Sequence, residues 1–100
     1  LNQKDSKSMP KVLIPTPLRP YVDNQDEVSI DKEGPISDVL ASLISQYPSL
    51  QNHLYDGEGS LRGFINVYVN DEDIRYQDGE KTIVNANQDV SIVPSIAGGI

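Results

Sequence analysis

Two adjacent glycines in the stretch IVPSIAGGI are the residues of this sequence best suited to chemistry. Glycine lacks a side chain and accepts backbone dihedral angles closed to other residues, so Ala97, Gly98 and Gly99 can thread a narrow channel in a partner. The Gly99 carboxyl group would then reach a buried reactive centre. Because a carboxylate is a poor electrophile, another enzyme would have to activate it, and an acyl adenylate is the expected form. The alternative is a frayed terminus or a turn cut short.

No other group of residues indicates an active site. The sequence contains no cysteine, which excludes disulfides, thiolate catalysis and cysteine-based metal sites. It contains one histidine, His53, so a catalytic dyad or histidine cluster lacks a second member, and we interpret His53 as a surface or loop residue. The acidic cluster Asp71, Glu72 and Asp73 lacks the spacing of a calcium loop. We therefore predict a protein that is not an enzyme and that has no catalytic residue, metal or cofactor.

The net charge of the chain indicates which kinds of partner it can bind. With 15 acidic and 8 basic residues, the net charge is −7. An acidic surface repels phosphate backbones, so we expect no nucleic-acid partner, whereas a basic protein surface would suit it. The alternative is that the acids only keep the domain soluble. The arginines either pair with partner carboxylates or serve solubility alone: Arg19, Arg62 and Arg75.

The sequence predicts a cytoplasmic protein that has no membrane partner and is a monomer when no partner is bound. No apolar run approaches the ~20 residues of a membrane helix, no secretory signal is visible, and the absence of cysteine fits a reducing compartment. The length of 100 residues favours one domain. We divide the chain into a flexible N-terminal arm (1–8), a folded domain (9–95) and a flexible C-terminal Gly-Gly tail (96–100).

The clearest predicted element is a helix that begins near residue 35. Pro35 suits the first helical turn, and Pro48 should end the helix near residue 46 or 47. Apolar residues recur at helical spacing and form one stripe, which must lie on something flat such as a sheet: Ile36, Val39, Leu40, Leu43 and Ile44.

Strand patterns surround this helix, at 11–15, 27–31, 62–70, 74–76 and 89–94. The first two form a hairpin with a long, proline-containing connection, and a helical turn is expected within SLQNHL. The order strand, strand, helix, strand, strand, strand gives an α+β fold, a mixed five-stranded sheet with the helix on one face. That is the β-grasp arrangement of ubiquitin-like domains, in which the last strand is central and the C-terminus leaves the sheet as a tail.

The strongest strand pattern, 62–70, also predicts a docking surface. Its residues alternate, so the stretch from Ile65 to Val69 turns its odd-numbered side chains to the helix. Phe64, Asn66 and Tyr68 then face away from the helix, where a partner can bind them. The alternative is that they pack against the long loop at 50–61.

Three segments carry a resemblance to a known family: IPTPLRPY at 14–21, FINVYVNDEDIRY at 64–76 and VSIVPSIAGG at 90–99. They resemble the ThiS/MoaD family of ubiquitin-like sulfur carriers, and within it the CysO-like branch. The resemblance covers residues 11–99. It implies that a ubiquitin-activating-type enzyme adenylates the Gly99 carboxyl group and that the adenylate is converted to a thiocarboxylate. Gly98, which has no side chain, would allow Gly99 to enter the active sites of partners.

The resemblance also implies further partners. A PLP-dependent cysteine synthase would take the sulfur for cysteine biosynthesis; other members supply thiamine or molybdopterin synthesis instead. In the CysO-like branch the carrier is left with cysteine on its last glycine, and a JAMM-type zinc peptidase removes it. Ile100 departs from the family pattern, because members that act directly end at the second glycine. We hypothesise a precursor whose Gly99–Ile100 bond the same peptidase cleaves; the alternative is that Ile100 comes from cloning or from a longer natural chain.

Two other functions use the same fold and the same glycines. One is the small subunit of a molybdopterin synthase, whose tail stays inserted in a large catalytic partner. The other is a protein modifier that forms isopeptide bonds to lysines, as ubiquitin does. The sequence does not separate these from a sulfur carrier.

Overall fold

The computed structural model describes residues 9–95, and their strands form two sheets. In chain order the strands are β1 (Lys11–Leu13), β2 (Glu27–Ser29), β3 (Gly34–Pro35), β4 (Ile65–Val69), β5 (Glu72–Asp73), β6 (Ile83–Val84) and β7 (Asp89–Pro94). The helices are α1 (Ile36–Gln46) and α2 (Gln51–Leu54), with 3₁₀ helices at Thr16–Val22, Pro48–Leu50, Ile74–Tyr76 and Gly79–Lys81.

The main sheet is mixed and has the order β2-β1-β7-β4-β5. β1 and β2 form the predicted antiparallel hairpin, and β7 runs parallel to β1 and antiparallel to β4. The last strand therefore lies at the centre of the sheet. The predicted five-stranded mixed sheet with one main helix on one face is confirmed.

Helix α1 covers one face of this sheet through its apolar stripe. Four stripe residues are completely buried, Ile36, Val39, Leu40 and Leu43, and Ile44 is half-buried against the same core. The helix ends at Gln46 because Pro48 follows Tyr47, as predicted. The sheet supplies the facing half of the core from residues that alternate along its strands: Val12, Val28, Ile65, Val67, Val69, Val90 and Ile92.

The start of α1 differs from the prediction. Pro35 is extended, with φ −63° and ψ 149°, and it precedes the first helical residue. The difference arises because Gly34 and Pro35 form β3, which pairs with β6 in a two-stranded sheet that the sequence analysis missed. Strands of two residues are too short to show an alternating pattern.

The predicted strand at 74–76 is wrong. Residues Ile74–Tyr76 form a 3₁₀ helix, and the short strand is Glu72–Asp73 instead. The reason is local, because the Asp73 carboxylate accepts a hydrogen bond from the Arg75 backbone N–H at 2.8 Å and so caps a helical turn. The helical turn expected within SLQNHL is confirmed by the 3₁₀ helix Pro48–Leu50 and by α2.

The contact between α1 and the sheet should dominate stability. Leu40 is completely buried, so Leu40→Ala should lower the free energy of unfolding by about 2–5 kcal/mol through lost burial and the cavity left behind. Urea unfolding measures this. Ser45 lies on the exposed side of α1, and Ser45→Ala should change stability by no more than about 0.5 kcal/mol. Equal losses in the two variants would contradict this packing.

Candidate functional site

The end of β7 determines where the chain leaves the sheet. Pro94 lies opposite Ile65 and has no N–H to donate. Ser95 continues the ladder, because its N–H donates to the Phe64 carbonyl oxygen at 2.6 Å. The predicted reactive residues follow immediately in the sequence and lie outside the described residues: Ala97, Gly98, Gly99 and Ile100.

The predicted docking residues lie beside this exit. Because the side chains of Ile65, Val67 and Val69 are buried against α1, the alternation of β4 turns Asn66 and Tyr68 to the outer face of the sheet. Phe64 lies in the turn just before β4, with 50% of its surface exposed. The three predicted docking residues therefore lie at neighbouring positions beside the exit, and their role in binding a partner stays a prediction.

β7 adds a neighbouring apolar residue that the sequence analysis did not include. Val93 lies directly opposite Asn66, and 42% of its surface is exposed. Ser91 lies opposite Tyr68 in the same register. We call the group Phe64, Asn66, Tyr68, Ser91 and Val93 the exit patch. The alternation of β7 already indicated that Val93 points away from the helix, but the register that sets it against Asn66 could not be read from one sequence.

An ion pair lies on the side of the sheet formed by β1 and β2. Lys11 lies opposite Asp89 and forms a 3.6 Å ion pair with Glu27. None of the five side chains of the exit patch is a carboxylate, ammonium or guanidinium group. Charged groups do border the patch, because Asp73 lies opposite Tyr68 and the Arg75 guanidinium contacts Oδ1 of Asn66. A partner that covers the exit patch would also meet these two charges, whose burial is costly unless the partner pairs them.

The arginines have a structural role that the sequence analysis missed. Each guanidinium donates to a backbone carbonyl, from Arg19 to Ile14 at 3.0 Å, from Arg62 to Asn52 at 2.8 Å and from Arg75 to Ile65 at 3.3 Å. These bonds hold irregular segments against the domain. No sequence signal identifies them, because each acceptor is a main-chain oxygen whose position only the fold sets.

The loop that leads to Arg62 is held by an aspartate. The Asp56 carboxylate accepts hydrogen bonds from the backbone N–H groups of Ser60 and Glu58, at 3.1 and 2.8 Å. These two bonds lower the pKa of Asp56 below its ordinary value. The carboxylate is thus ionised at neutral pH and closes the glycine-containing turn at 56–60.

The remaining candidates for chemistry have structural explanations. The His53 ring stacks on Tyr21, with ring centroids 4.2 Å apart. In the acidic cluster, Asp73 caps the following turn and Glu72 accepts a hydrogen bond from Gln77 at 3.0 Å. Within residues 9–95, no group of three or more histidine, cysteine or acidic side chains is arranged to hold a metal ion. None of the helices in this part of the chain is both long and apolar enough to cross a membrane.

Comparison with known proteins decides the family. A model of the family described as ThiS matches residues 12–99. The chain belongs to the ThiS family. This confirms the family predicted from the sequence. The sulfur carrier protein CysO of Mycobacterium tuberculosis (strain ATCC 25618 / H37Rv) is 38% identical to this ThiS-family chain over 90 residues, which cover 88% of the chain and 96% of that protein.

Two further relatives are informative. A chain of the crystal structure of the Amycolatopsis orientalis BexX/CysO complex superposes with a TM-score of 0.81 at 33% identity, covering 90% of this ThiS-family chain and 99% of its own length. Small archaeal modifier protein 3 of Haloferax volcanii is 31% identical over 70 residues, which cover 70% of this chain and 75% of that protein. The β-grasp fold is thus shared with a carrier and with a modifier.

The acidic cluster gives a test of its structural explanation. Asp73→Ala removes the cap of the 3₁₀ helix Ile74–Tyr76 and should lower the free energy of unfolding by about 1 kcal/mol in urea denaturation. Asp71→Ala is the matched control, because Asp71 is exposed in the same turn, and its effect should stay within about 0.5 kcal/mol. An Asp71 variant as unstable as the Asp73 variant would argue against a capping role.

Proposed function

We propose that this protein is a sulfur carrier for cysteine biosynthesis and acts as a co-substrate of other enzymes, with its Gly99 carboxyl group as the site that carries sulfur. The observation that supports this most directly is that Gly98 and Gly99 closely follow β7, the central strand of a ThiS-family domain, in the sequence. The 38% identity to a protein called sulfur carrier CysO favours the cysteine pathway.

A carboxylate is a poor electrophile, so the proposed chemistry begins with its activation. An oxygen of the Gly99 carboxylate attacks the α-phosphorus of ATP in a ubiquitin-activating-type enzyme, and pyrophosphate leaves. A sulfur nucleophile then displaces AMP and leaves a thiocarboxylate on Gly99. In a PLP-dependent cysteine synthase, the thiocarboxylate sulfur would replace the leaving group of an activated serine derivative, which gives a thioester between Gly99 and the new cysteine. The cysteine amine then attacks the Gly99 carbonyl carbon and releases the cysteine thiol, so that a peptide bond replaces the thioester. A zinc peptidase of the JAMM type hydrolyses this bond and frees cysteine and the Gly99 carboxylate.

In this proposal the folded domain fixes the point from which the C-terminal segment starts, and the two glycines keep that segment narrow. Gly99 follows Ser95 by four residues, so the Cα atom of Gly99 can lie at most about 14 Å from the Cα atom of Ser95, whose N–H makes the last hydrogen bond of the ladder. Within that reach, Gly98 and Gly99 present no side chain to the walls of a channel. The exit patch would bind the rim of the same channel, because it lies beside Ser95. Adenylation requires ATP, which fits the cytoplasmic location expected from the sequence.

Ile100 has to be absent when Gly99 reacts. In this sequence the Gly99 carbonyl group forms a peptide bond to Ile100, so Gly99 has no carboxylate oxygen that can attack ATP. We propose that the peptidase that releases cysteine from Gly99 also cleaves the Gly99–Ile100 bond. In both substrates the bond to be cleaved follows the same Gly-Gly pair.

A protein modifier is the second candidate, favoured by the 31% identity to small archaeal modifier protein 3. Both functions begin with an adenylate on Gly99. They differ in the nucleophile that follows, because a carrier accepts sulfur and a modifier acylates lysine amines.

The first test concerns the reactive carboxyl group. A form that ends at Gly99, incubated with the adenylating enzyme of the same organism, ATP and sulfide, should gain the mass that corresponds to replacing one oxygen by sulfur. A Gly98→Val form of the same length keeps the carboxylate but adds a branched side chain, and its conversion should slow by about 100-fold because the reacting carbon is misplaced. The form that retains Ile100 should not react until the peptidase is added.

Three outcomes would contradict parts of this proposal. Failure of the Gly99-ending form to acquire sulfur argues against a carrier. Conjugates on lysines of other proteins would favour the modifier. Intact Ile100 after treatment with a peptidase that does process a Gly-Gly-Cys form would disprove the precursor hypothesis.

The second test concerns the exit patch. Phe64→Asp places a charge in the patch, and the KM for the carrier in adenylation should rise about 10-fold, because a contact residue of this kind contributes on the order of 1–2 kcal/mol. Tyr76→Asp is the matched control, since Tyr76 is 85% exposed but lies outside the patch, and its KM should not change. Equal KM values for the two variants would show that the partner binds elsewhere.

A further inference from the structure

The side chain of Arg75 contacts the turn that precedes β4. Its Nη2 atom lies 3.3 Å from the Ile65 carbonyl oxygen and 3.5 Å from that of Gly63, and it also contacts Oδ1 of Asn66. The Arg75 backbone is itself held, because its N–H donates to the Asp73 carboxylate. The guanidinium is therefore anchored from β5 and reaches across to β4.

The acceptors of Arg75 flank the residue that holds the end of β7. Gly63 and Ile65 stand on either side of Phe64, and the Phe64 carbonyl oxygen accepts the Ser95 N–H at 2.6 Å. On the same turn, the Ile65 N–H donates to the Arg62 carbonyl at 2.9 Å. A displacement of this turn would therefore move the acceptor of the last described hydrogen bond before the Gly-Gly segment.

β5 does not support this part of β4. Its two residues pair with Tyr68 and Val69 only, so β5 stops short of Ile65. Within residues 9–95, the 3₁₀ helix that follows carries Arg75 back to the uncovered edge. An arginine side chain thus takes the place of the missing strand neighbour at Ile65.

We infer that Arg75 is a positioning residue that fixes the point from which the C-terminal segment leaves the sheet. This inference rests on the proposed function for its catalytic consequence, but the structural part stands apart from it. Arginine suits the role because its planar guanidinium presents several N–H donors in a fixed array, whereas the lysine ammonium is a single point on a flexible chain. The positive charge of a lysine at position 75 would therefore not be enough to replace the arginine.

Amide hydrogen exchange by NMR tests the structural part. In the full chain, Arg75→Gln and Arg75→Lys should both speed exchange of the Ser95 amide by about 10-fold, because neither side chain reproduces the set of hydrogen bonds that the guanidinium makes. Lys81→Gln makes the same change of charge as Arg75→Gln at an exposed position and should leave Ser95 unchanged. The buried Val90 amide serves as an internal control, since unchanged exchange there shows that global stability is kept. Unaltered exchange at Ser95 in both Arg75 variants would overturn the inference.

Adenylation kinetics separate positioning from direct contact with a partner. With forms that end at Gly99, both Arg75 variants should raise the KM of the carrier by about 3- to 10-fold, by the same loss of positioning. If Arg75 instead meets a partner carboxylate as a charge, Arg75→Lys would retain the original KM, and the inference would fail. Absence of adenylation even in the unsubstituted form would contradict the proposed function, and the exchange of Ser95 would still decide the role of Arg75.

Discussion

The pairing of β7 with two neighbours is the constraint on which the rest of the structure depends. β1 holds it in parallel and β4 holds it in antiparallel register over five residue pairs. A strand bonded on both sides resists bending more than an edge strand, because moving it would break two ladders together. The segment proposed to react thus follows the most constrained strand of the sheet. A chain end that must enter another protein gains from such a base, because less orientational freedom remains to be lost on binding.

The two faces of the sheet then divide the work. On the inner face, Val90 and Ile92 are buried under α1 and contribute to stability. On the outer face, Val93 belongs to the exit patch, so one strand contributes to the core and to the proposed docking surface through alternate residues. The side chains of the exit patch carry no formal charge. Charges stand at its edge, with Asp73 opposite Tyr68 and Arg75 in contact with Asn66.

The sequence predicted those parts of the fold that follow from periodic patterns. The stripe of α1, the alternation of β4 and β7 and the order of the elements predicted the mixed sheet, and its likeness to the β-grasp arrangement placed the last strand at the centre. Short elements were missed because two residues carry no period, as with β3 and β6. The helical turn at Ile74–Tyr76 was mistaken for a strand because its cap, Asp73, acts through side-chain geometry. Of the candidate site, the outward-facing Phe64 was predictable, whereas the contacts of Arg75 depend on register and on main-chain oxygens.

Native-state hydrogen exchange of the full chain tests the central claim most directly, since that claim is that β7 is the rigid base of the reactive segment. The account predicts that the amides from Val90 to Val93 exchange only through global unfolding, with an opening free energy equal to the stability of the domain. Amides of the edge strand β2 should open at lower free energy. Exchange of the β7 amides by local opening, at or below the free energy of β2, would contradict the account.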